Sequence, residues 1–249
     1  MAKNFPLGLG GLIMLATSML FLYFIILSAV DDSTPLDRTY FLRANTDGIT
    51  GARQWSQWTY FYVCGDNNLD CTGAKAGMPV GWAWDAGAQN VPDGLAGSYG
   101  GGTTSHKFFY MWRFGWVFIL ITLFFETLAF FTGFLACCGR LGAALSFFVA
   151  AFALVCHTVA SSLFTATFVM ARDRFRDAGR EASIGSYAFG WIWGSYAALL
   201  VAIVLFAMGM RGDKTNAAAG GGGGGGRGMF SRRRSTRSYD GRRVKEEYS

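Results

Sequence analysis

Few side chains in this sequence are of types that could do chemistry, and each group points to a different kind. Cys64 and Cys71 have six residues between them, among them Gly65, Asp66, Asn67 and Asn68, a turn-forming spacing across which two thiols can close a disulfide. Glu126 and His157 stand inside long apolar runs, where an ionisable group is costly unless it meets a partner. Cys137 and Cys138 fall at the end of an apolar run, just before Arg140, a position suited to S-palmitoylation. Ser235 and Ser238 are interleaved with Arg232, Arg233, Arg234 and Arg237, and Arg242, Arg243 and Lys245 follow. Such a run clamps anionic lipid, and phosphorylation of its serines would lower the charge.

Patterns that would signal an enzyme are missing from the sequence. There is no GxSxG, and the glycines from Gly220 to Gly226 have neither an adjacent strand nor a Lys-Ser/Thr pair with which to cradle a phosphate. A zinc site needs four ligands, and the segment that holds Cys64 and Cys71 adds only His106. The sequence therefore predicts no catalytic residues, no metal, no cofactor and no nucleic-acid partner.

A membrane must position these groups. Of 249 residues, 52% are hydrophobic and 15% charged, and the mean hydropathy is +0.28, which leaves too little polar surface to cover a soluble globule. Four runs, about 7–30, 114–135, 143–170 and 187–210, are long and apolar enough to cross roughly 30 Å of hydrocarbon at about 1.5 Å per residue. The first exceeds the apolar core of a signal peptide and lacks an A-x-A site, so it reads as an uncleaved span. Lys3, Arg140 and a tail with ten basic and four acidic residues lie on one side; the segment Asp31 to Lys107, with eight acidic and five basic residues, lies on the other. The positive-inside rule puts both termini in the cytoplasm and the loops 31–113 and 171–186 outside. The tail, 211–249, reads as disordered, with a polyglycine linker ahead of its basic cluster.

An oxidising exterior would pair Cys64 with Cys71, stabilising the outer fold by about 2–3 kcal/mol, mainly by restricting the unfolded loop. The aromatic, β-favouring stretch Trp55 to Val63 and the stretch Tyr40 to Asn45 read as strands of a small antiparallel sheet, with tryptophans at the headgroup boundary. Glu126 lies about twelve residues into the second span and His157 about thirteen before the outer end of the third, so antiparallel helices would bring them to similar depth. Three readings stand: a hydrogen-bonded structural pair, separate satisfied contacts, or part of an ion path. Cys137 and Cys138 read either as acylation sites or as buried thiols, and Cys156 as packing. Gly190 and Gly194 share a helix face suited to close packing, within the bundle or between copies. The basic cluster is either a lipid clamp or a simple topology signal.

The phrase Gln57-Trp58-Thr59-Tyr60 leading to Cys64 and then Cys71, with Trp55 before it and a Gly/Ala/Pro-containing stretch to Trp84 after it, resembles a known pattern. With four spans and a long first outer loop it is similar to the claudin-type tetraspan fold, and within it to the fungal branch, the SUR-seven/PalI family of eisosome-associated plasma-membrane proteins. The animal claudin form Gly-Leu-Trp is absent, and Glu247-Tyr248-Ser249 lacks the apolar last residue of a PDZ ligand. The topological resemblance covers about the first 210 residues, and its specific part runs from Trp55 to Trp84. It implies an all-α four-helix transmembrane bundle capped by a small disulfide-stapled extracellular β-sheet. It also implies a non-enzymatic organiser of plasma-membrane patches, linked to sphingolipids and cell-wall integrity. The expected partners are anionic inner-leaflet lipids, sphingolipids, eisosome scaffold proteins or further copies of the chain. The alternative function is an accessory or pore-forming subunit for ion or proton movement, with Glu126 and His157 in the path.

Overall fold

The computed structural model describes residues 5–211 except 32 and 139, with side chains placed from 6 to 210 apart from 32 and 136–140. The acylation expected at Cys137 and Cys138, and the lipid contacts and phosphorylation expected of 211–249, lie outside the described side chains. Four helices carry the apolar runs: α1 (Phe5–Ile26), α2 (His106–Cys138), α3 (Arg140–Asp177) and α4 (Ser186–Arg211). In hydrocarbon every backbone N–H and C=O must pair within its own segment, and the helix does this. The bundle wears its apolar side chains outward, with Leu141 85%, Phe148 67% and Phe131 64% exposed. That surface suits lipid as solvent.

Both α2, at 33 residues, and α3, at 38, are longer than the roughly 20 residues that cross a bilayer. α2 begins at His106, eight residues before the apolar run read from the sequence, and α3 continues to Asp177. Their extensions form a stem that carries the domain between α1 and α2. This domain is built on four strands, β1 (Leu42–Asn45), β2 (Trp55–Trp58), β3 (Val63–Cys64) and β4 (Ala182–Ile184), in the order β3-β2-β1-β4. All pairs are antiparallel, with Leu42 opposite Trp58 and Ile184.

The sheet departs from the expected one in two ways. The single strand read over Trp55 to Val63 is a hairpin: Thr59 N–H donates to Tyr62 O at 2.9 Å, and the Thr59 hydroxyl accepts from Tyr62 N–H at 3.2 Å, which turns the chain between β2 and β3. The fourth strand comes from the other loop. β4 follows the Gly179 turn (φ 73) and lies beside β1, with Asn45 N–H donating to Glu181 O at 2.8 Å. Both outer segments thus share one sheet.

The inner face of the sheet closes onto the stem. Phe41, just before β1, has its ring centroid 4.8 Å from Phe164, 5.0 Å from Phe168 and 5.9 Å from Trp112, so residues from α2 and α3 surround a side chain from the outer domain. Trp58 is fully buried and donates its indole N–H to Val80 O at 2.8 Å. Its place is therefore the interior of the outer domain, not the headgroup boundary expected for it. Trp55, three residues away, points to the opposite face because strand side chains alternate with period two. There it lies half-buried under the Arg43 guanidinium, 3.9 Å from the ring centroid.

Gly185, between β4 and α4, shows how closely the two outer segments meet: a Cβ there would collide with the Tyr40 carbonyl oxygen. Gly185→Ala is expected to lower stability by about 1–3 kcal/mol through overpacking, read as a lower unfolding midpoint in detergent micelles. Gly73→Ala, where a Cβ meets nothing within 4 Å, should leave the midpoint in place.

Candidate functional site

Halfway along the bundle each helix contributes one polar side chain to a single point. Ser18 of α1, Glu126 of α2, His157 of α3 and Ser195 of α4 are all fully buried. Ser18 Oγ lies 2.9 Å from Glu126 Oε1 and 2.9 Å from Ser195 O, and donates its one proton to either. Ser195 Oγ donates to Ile192 O at 2.9 Å and stands 3.2 Å from His157 Nε2. His157 Nδ1 is 3.8 Å from Glu126 Oε1. The two ionisable groups read from the sequence are therefore brought together, but beyond hydrogen-bonding distance. The hydrogen bonds expected between them come instead from the serines of the other two helices. Tyr196 covers the His157 ring edge-on at 5.6 Å between centroids.

Apolar side chains bracket this junction. Leu15 and Leu22, Ala153 and Ala160, and Ile192 and Leu199 lie about one turn to either side of Ser18, His157 and Ser195 on their helices, and all are fully buried. On α2 and α3 the next turn toward the sheet holds Thr122 and Ser161, also fully buried, whose hydroxyls donate to the carbonyls of Phe118 and His157. Chemically the arrangement joins four helices at one depth. Cys156, beside His157, is a buried free thiol that packs.

The second cluster lies in the outer domain, around the residues of the Trp-Cys-Cys pattern. Cys64 and Cys71 form a disulfide that closes a loop shaped by left-handed residues at Asn67 (φ 57), Asn68 (φ 55) and Asp70 (φ 49). Asparagine and aspartate tolerate that conformation best after glycine. The loop is held to the sheet by polar bonds. Asn68 N–H donates to Gln57 Oε1 at 3.0 Å, its amide donates to Leu36 O and Thr39 O, and Arg53 pairs with Asp70 at 3.0 Å. Arg43 Nε donates to Asp66 Oδ1 at 2.8 Å, and that hydrogen bond holds the Asp66 carboxyl below the usual carboxylate range.

Tyr60 fastens this domain to α2. Its hydroxyl donates to Trp116 O at 2.8 Å, the Trp116 indole donates back to Tyr60 O at 3.2 Å, and the rings stack at 5.3 Å. Burial pushes the Tyr60 phenol well above its ordinary value. Just beyond the end of α1, Ser28 Oγ accepts the Tyr60 N–H at 3.1 Å. Trp55, Trp58, Tyr60, Cys64 and Cys71 are thus the parts of one assembly: outer face, inner core, anchor and staple.

Sequence reasoning missed Ser18, Ser195, Ser28 and Trp116. Ser18 and Ser195 stand near the middle of their apolar runs, as Glu126 and His157 do, but depth alone does not single out a hydroxyl. Gly194, read as a packing position, meets the Phe21 ring of α1, where a Cβ would stand 3.2 Å from it, whereas a Cβ at Gly190 would meet nothing within 4 Å.

Comparison with known proteins places these features in a family. The model of the SUR7/PalI family matches residues 7–205, which include α2, α3, the outer domain and most of α1 and α4. The protein named SUR7 from Candida albicans is 30% identical over 200 residues, 80% of this chain and 72% of that one. Protein SUR7 from Saccharomyces cerevisiae is 29% identical over 207 residues, 81% of this chain and 67% of its own. A second Saccharomyces cerevisiae protein, YNL194C, described as an uncharacterized plasma membrane protein, is 25% identical over 212 residues, 82% of this chain and 68% of its own.

Two measurements test the outer cluster. Replacing both Cys64 and Cys71 by serine should lower stability by about 2–3 kcal/mol, read from unfolding midpoints of oxidised wild type and variant, while reducing agent should shift only the wild type. The Asp66 carboxyl is lowered on folding, so its contribution is fully present above the unfolded value of 3.8 and is lost as pH falls through the lower folded value. Amide protection factors across 66–71 should therefore hold from neutral pH down to about that value and drop below it. In Asp66→Asn they should be low throughout.

Proposed function

We propose, from the premise that this chain belongs to the SUR7/PalI family, that this multi-pass membrane protein is a non-enzymatic organiser of a plasma-membrane microdomain. It acts by lateral packing and lipid contact, in eisosome-like patches tied to lipid organisation and cell-wall integrity. The observation that carries this reading is the closed junction at Ser18, Glu126, His157 and Ser195, bracketed by buried apolar side chains. Such a junction holds helices together, and the hydroxyls nearest it, of Thr122 and Ser161, are taken up by backbone carbonyls of their own helices, which weighs against an ion or proton path through Glu126 and His157. The sheet, keyed to the bundle through Phe41 and Tyr60, gives the protein a rigid outer face.

The orientation proposed has both termini in the cytoplasm, since the basic residues collect there and the disulfide then faces an oxidising compartment. The plasma membrane is the site suggested by the name of the relative YNL194C. On the cytoplasmic side Arg232, Arg233, Arg234, Arg237, Arg242, Arg243 and Lys245 draw anionic lipid, at about 1 kcal/mol for each residue near the surface. Phosphorylation of Ser235 and Ser238 would add roughly three to four negative charges and cancel about half of that attraction. Acylation of Cys137 and Cys138 would add a second anchor. Scaffold proteins of the patch, sphingolipids and further copies of the chain are the remaining partners.

A fluorescent fusion should mark static cortical patches and keep doing so in Glu126→Gln. Diffuse surface signal, or a membrane conductance that Glu126→Gln abolishes, would replace this reading with the ion-path alternative. A peptide of residues 227–249 should bind anionic liposomes, release them at high salt, and lose most of its binding when Ser235 and Ser238 are phosphorylated. Equal binding by the phosphopeptide would reduce the arginines to a topology signal.

A further inference from the structure

Two cations meet at the foot of the outer domain. Arg113 stands on α2 just before its apolar run, and Lys75 belongs to the outer domain. The segment 75–77 brings them to one place. A Cβ at Gly77 would stand 3.6 Å from Arg113 Nε. The Lys75 N–H donates to Phe61 O at 2.9 Å, and the Phe61 ring lies 5.7 Å from that of Trp116, about one turn along α2 from Arg113.

An aromatic ring holds each cation. Arg113 Cζ is 4.5 Å from the centroid of Phe109, and Lys75 Nζ is 3.4 Å from that of Trp82, close enough for the ring quadrupoles to attract them. Both side chains are exposed. Among the described residues neither takes part in a salt bridge or a side-chain hydrogen bond, so the guanidinium and ammonium donors have no acceptor from the protein.

Depth decides what can supply one. Arg113 precedes Glu126 by thirteen residues on α2, about 20 Å along the axis at 1.5 Å per residue. With the polar junction at the bilayer centre, hydrocarbon ends at about 15 Å and the headgroup layer at about 20–22 Å. Arg113 therefore stands among headgroups. Tyr110 and Val117, its neighbours on the same helix face, are exposed, so this face looks outward to lipid.

Charge narrows the head. A phosphate gives both cations one shared acceptor, and a guanidinium can hold it with two N–H donors. In a zwitterionic lipid the ammonium travels with the phosphate and meets Arg113 and Lys75 as a like charge. An anionic lipid brings the phosphate without it.

We propose that Arg113 and Lys75 bind the phosphate of one anionic phospholipid in the leaflet on the sheet's side, with its chains running down past Phe114 and Val117. The proposal deepens the lipid-contact part of the function above, and names a lipid class and a surface apart from the basic tail. Patch localisation can fail without touching it.

Full-length protein in phosphatidylcholine nanodiscs doped with phosphatidylglycerol, and in a parallel set with phosphatidylethanolamine, tests it by native mass spectrometry of the lipids retained. The basic tail is common to wild type and variants, so the difference between them reads this site alone. Wild type should retain one phosphatidylglycerol per chain more than Arg113→Gln or Lys75→Gln, with unfolding midpoints unchanged. Lys107→Gln, which removes the same charge six residues or about 9 Å farther out on α2, should match wild type. Phosphatidylethanolamine should be retained equally by all four. Equal retention of phosphatidylglycerol in wild type, Arg113→Gln and Lys75→Gln would overturn the site. A loss in Lys107→Gln as large as in Arg113→Gln would reduce it to net charge, and the same loss with phosphatidylethanolamine would overturn the anionic head.

Discussion

Hydrocarbon cannot solvate a carboxylate, an imidazole or a hydroxyl, so Glu126, His157, Ser18 and Ser195 have to find one another, and they do so at one depth in the bundle. Apolar helix faces slide past each other at little cost because lipid is as apolar as leucine. The polar junction removes that freedom. Shifting one helix by a turn moves its polar group about 5.4 Å, beyond the reach of any hydrogen bond.

Helix register then governs the outer domain. β1 hangs from α1, and β4 is strung directly between α3 and α4, so the pairing of Leu42 with Ile184 and of Ala44 with Ala182 closes only if those helices stand at matching heights. Phe41 and Tyr60 translate the same registration into packing, the first among Trp112, Phe164 and Phe168, the second against Trp116. The disulfide works at a lower level. It shapes the 64–71 loop on the rim of the sheet, while the contacts that seat the domain are made by buried aromatics. The outer domain is thus seated on a bundle whose outward side chains are apolar.

The sequence made the large features legible for physical reasons. Spans announce themselves by length and hydropathy, the disulfide by isolation of two cysteines in a loop, and the meeting of Glu126 with His157 by the cost of charge in lipid. Ser18 and Ser195 were not legible, because a hydroxyl in a membrane helix commonly bonds its own backbone, as Thr122 does to Phe118 O and Thr127 to Leu123 O. Nothing local separates those from serines that reach a neighbouring helix. β4 is three residues long, too short to show a period, and exists because β1 offers an edge. The inward turn of Trp58 was within reach: three residues from Trp55, it must take the other face of a strand, and its indole N–H needed a buried acceptor such as Val80 O.

The claim that the polar junction sets the register is tested most directly by a double-mutant cycle between α1 and α2. Unfolding free energies in mixed micelles are needed for wild type, Ser18→Ala, Glu126→Leu and the pair. A hydrogen bond across the junction predicts that the double variant loses less than the sum of the singles, with a coupling of about 0.6–1.7 kcal/mol, the range found for side-chain bonds between membrane helices. Losses that simply add would mean the two residues act independently, and the register would have to be set elsewhere.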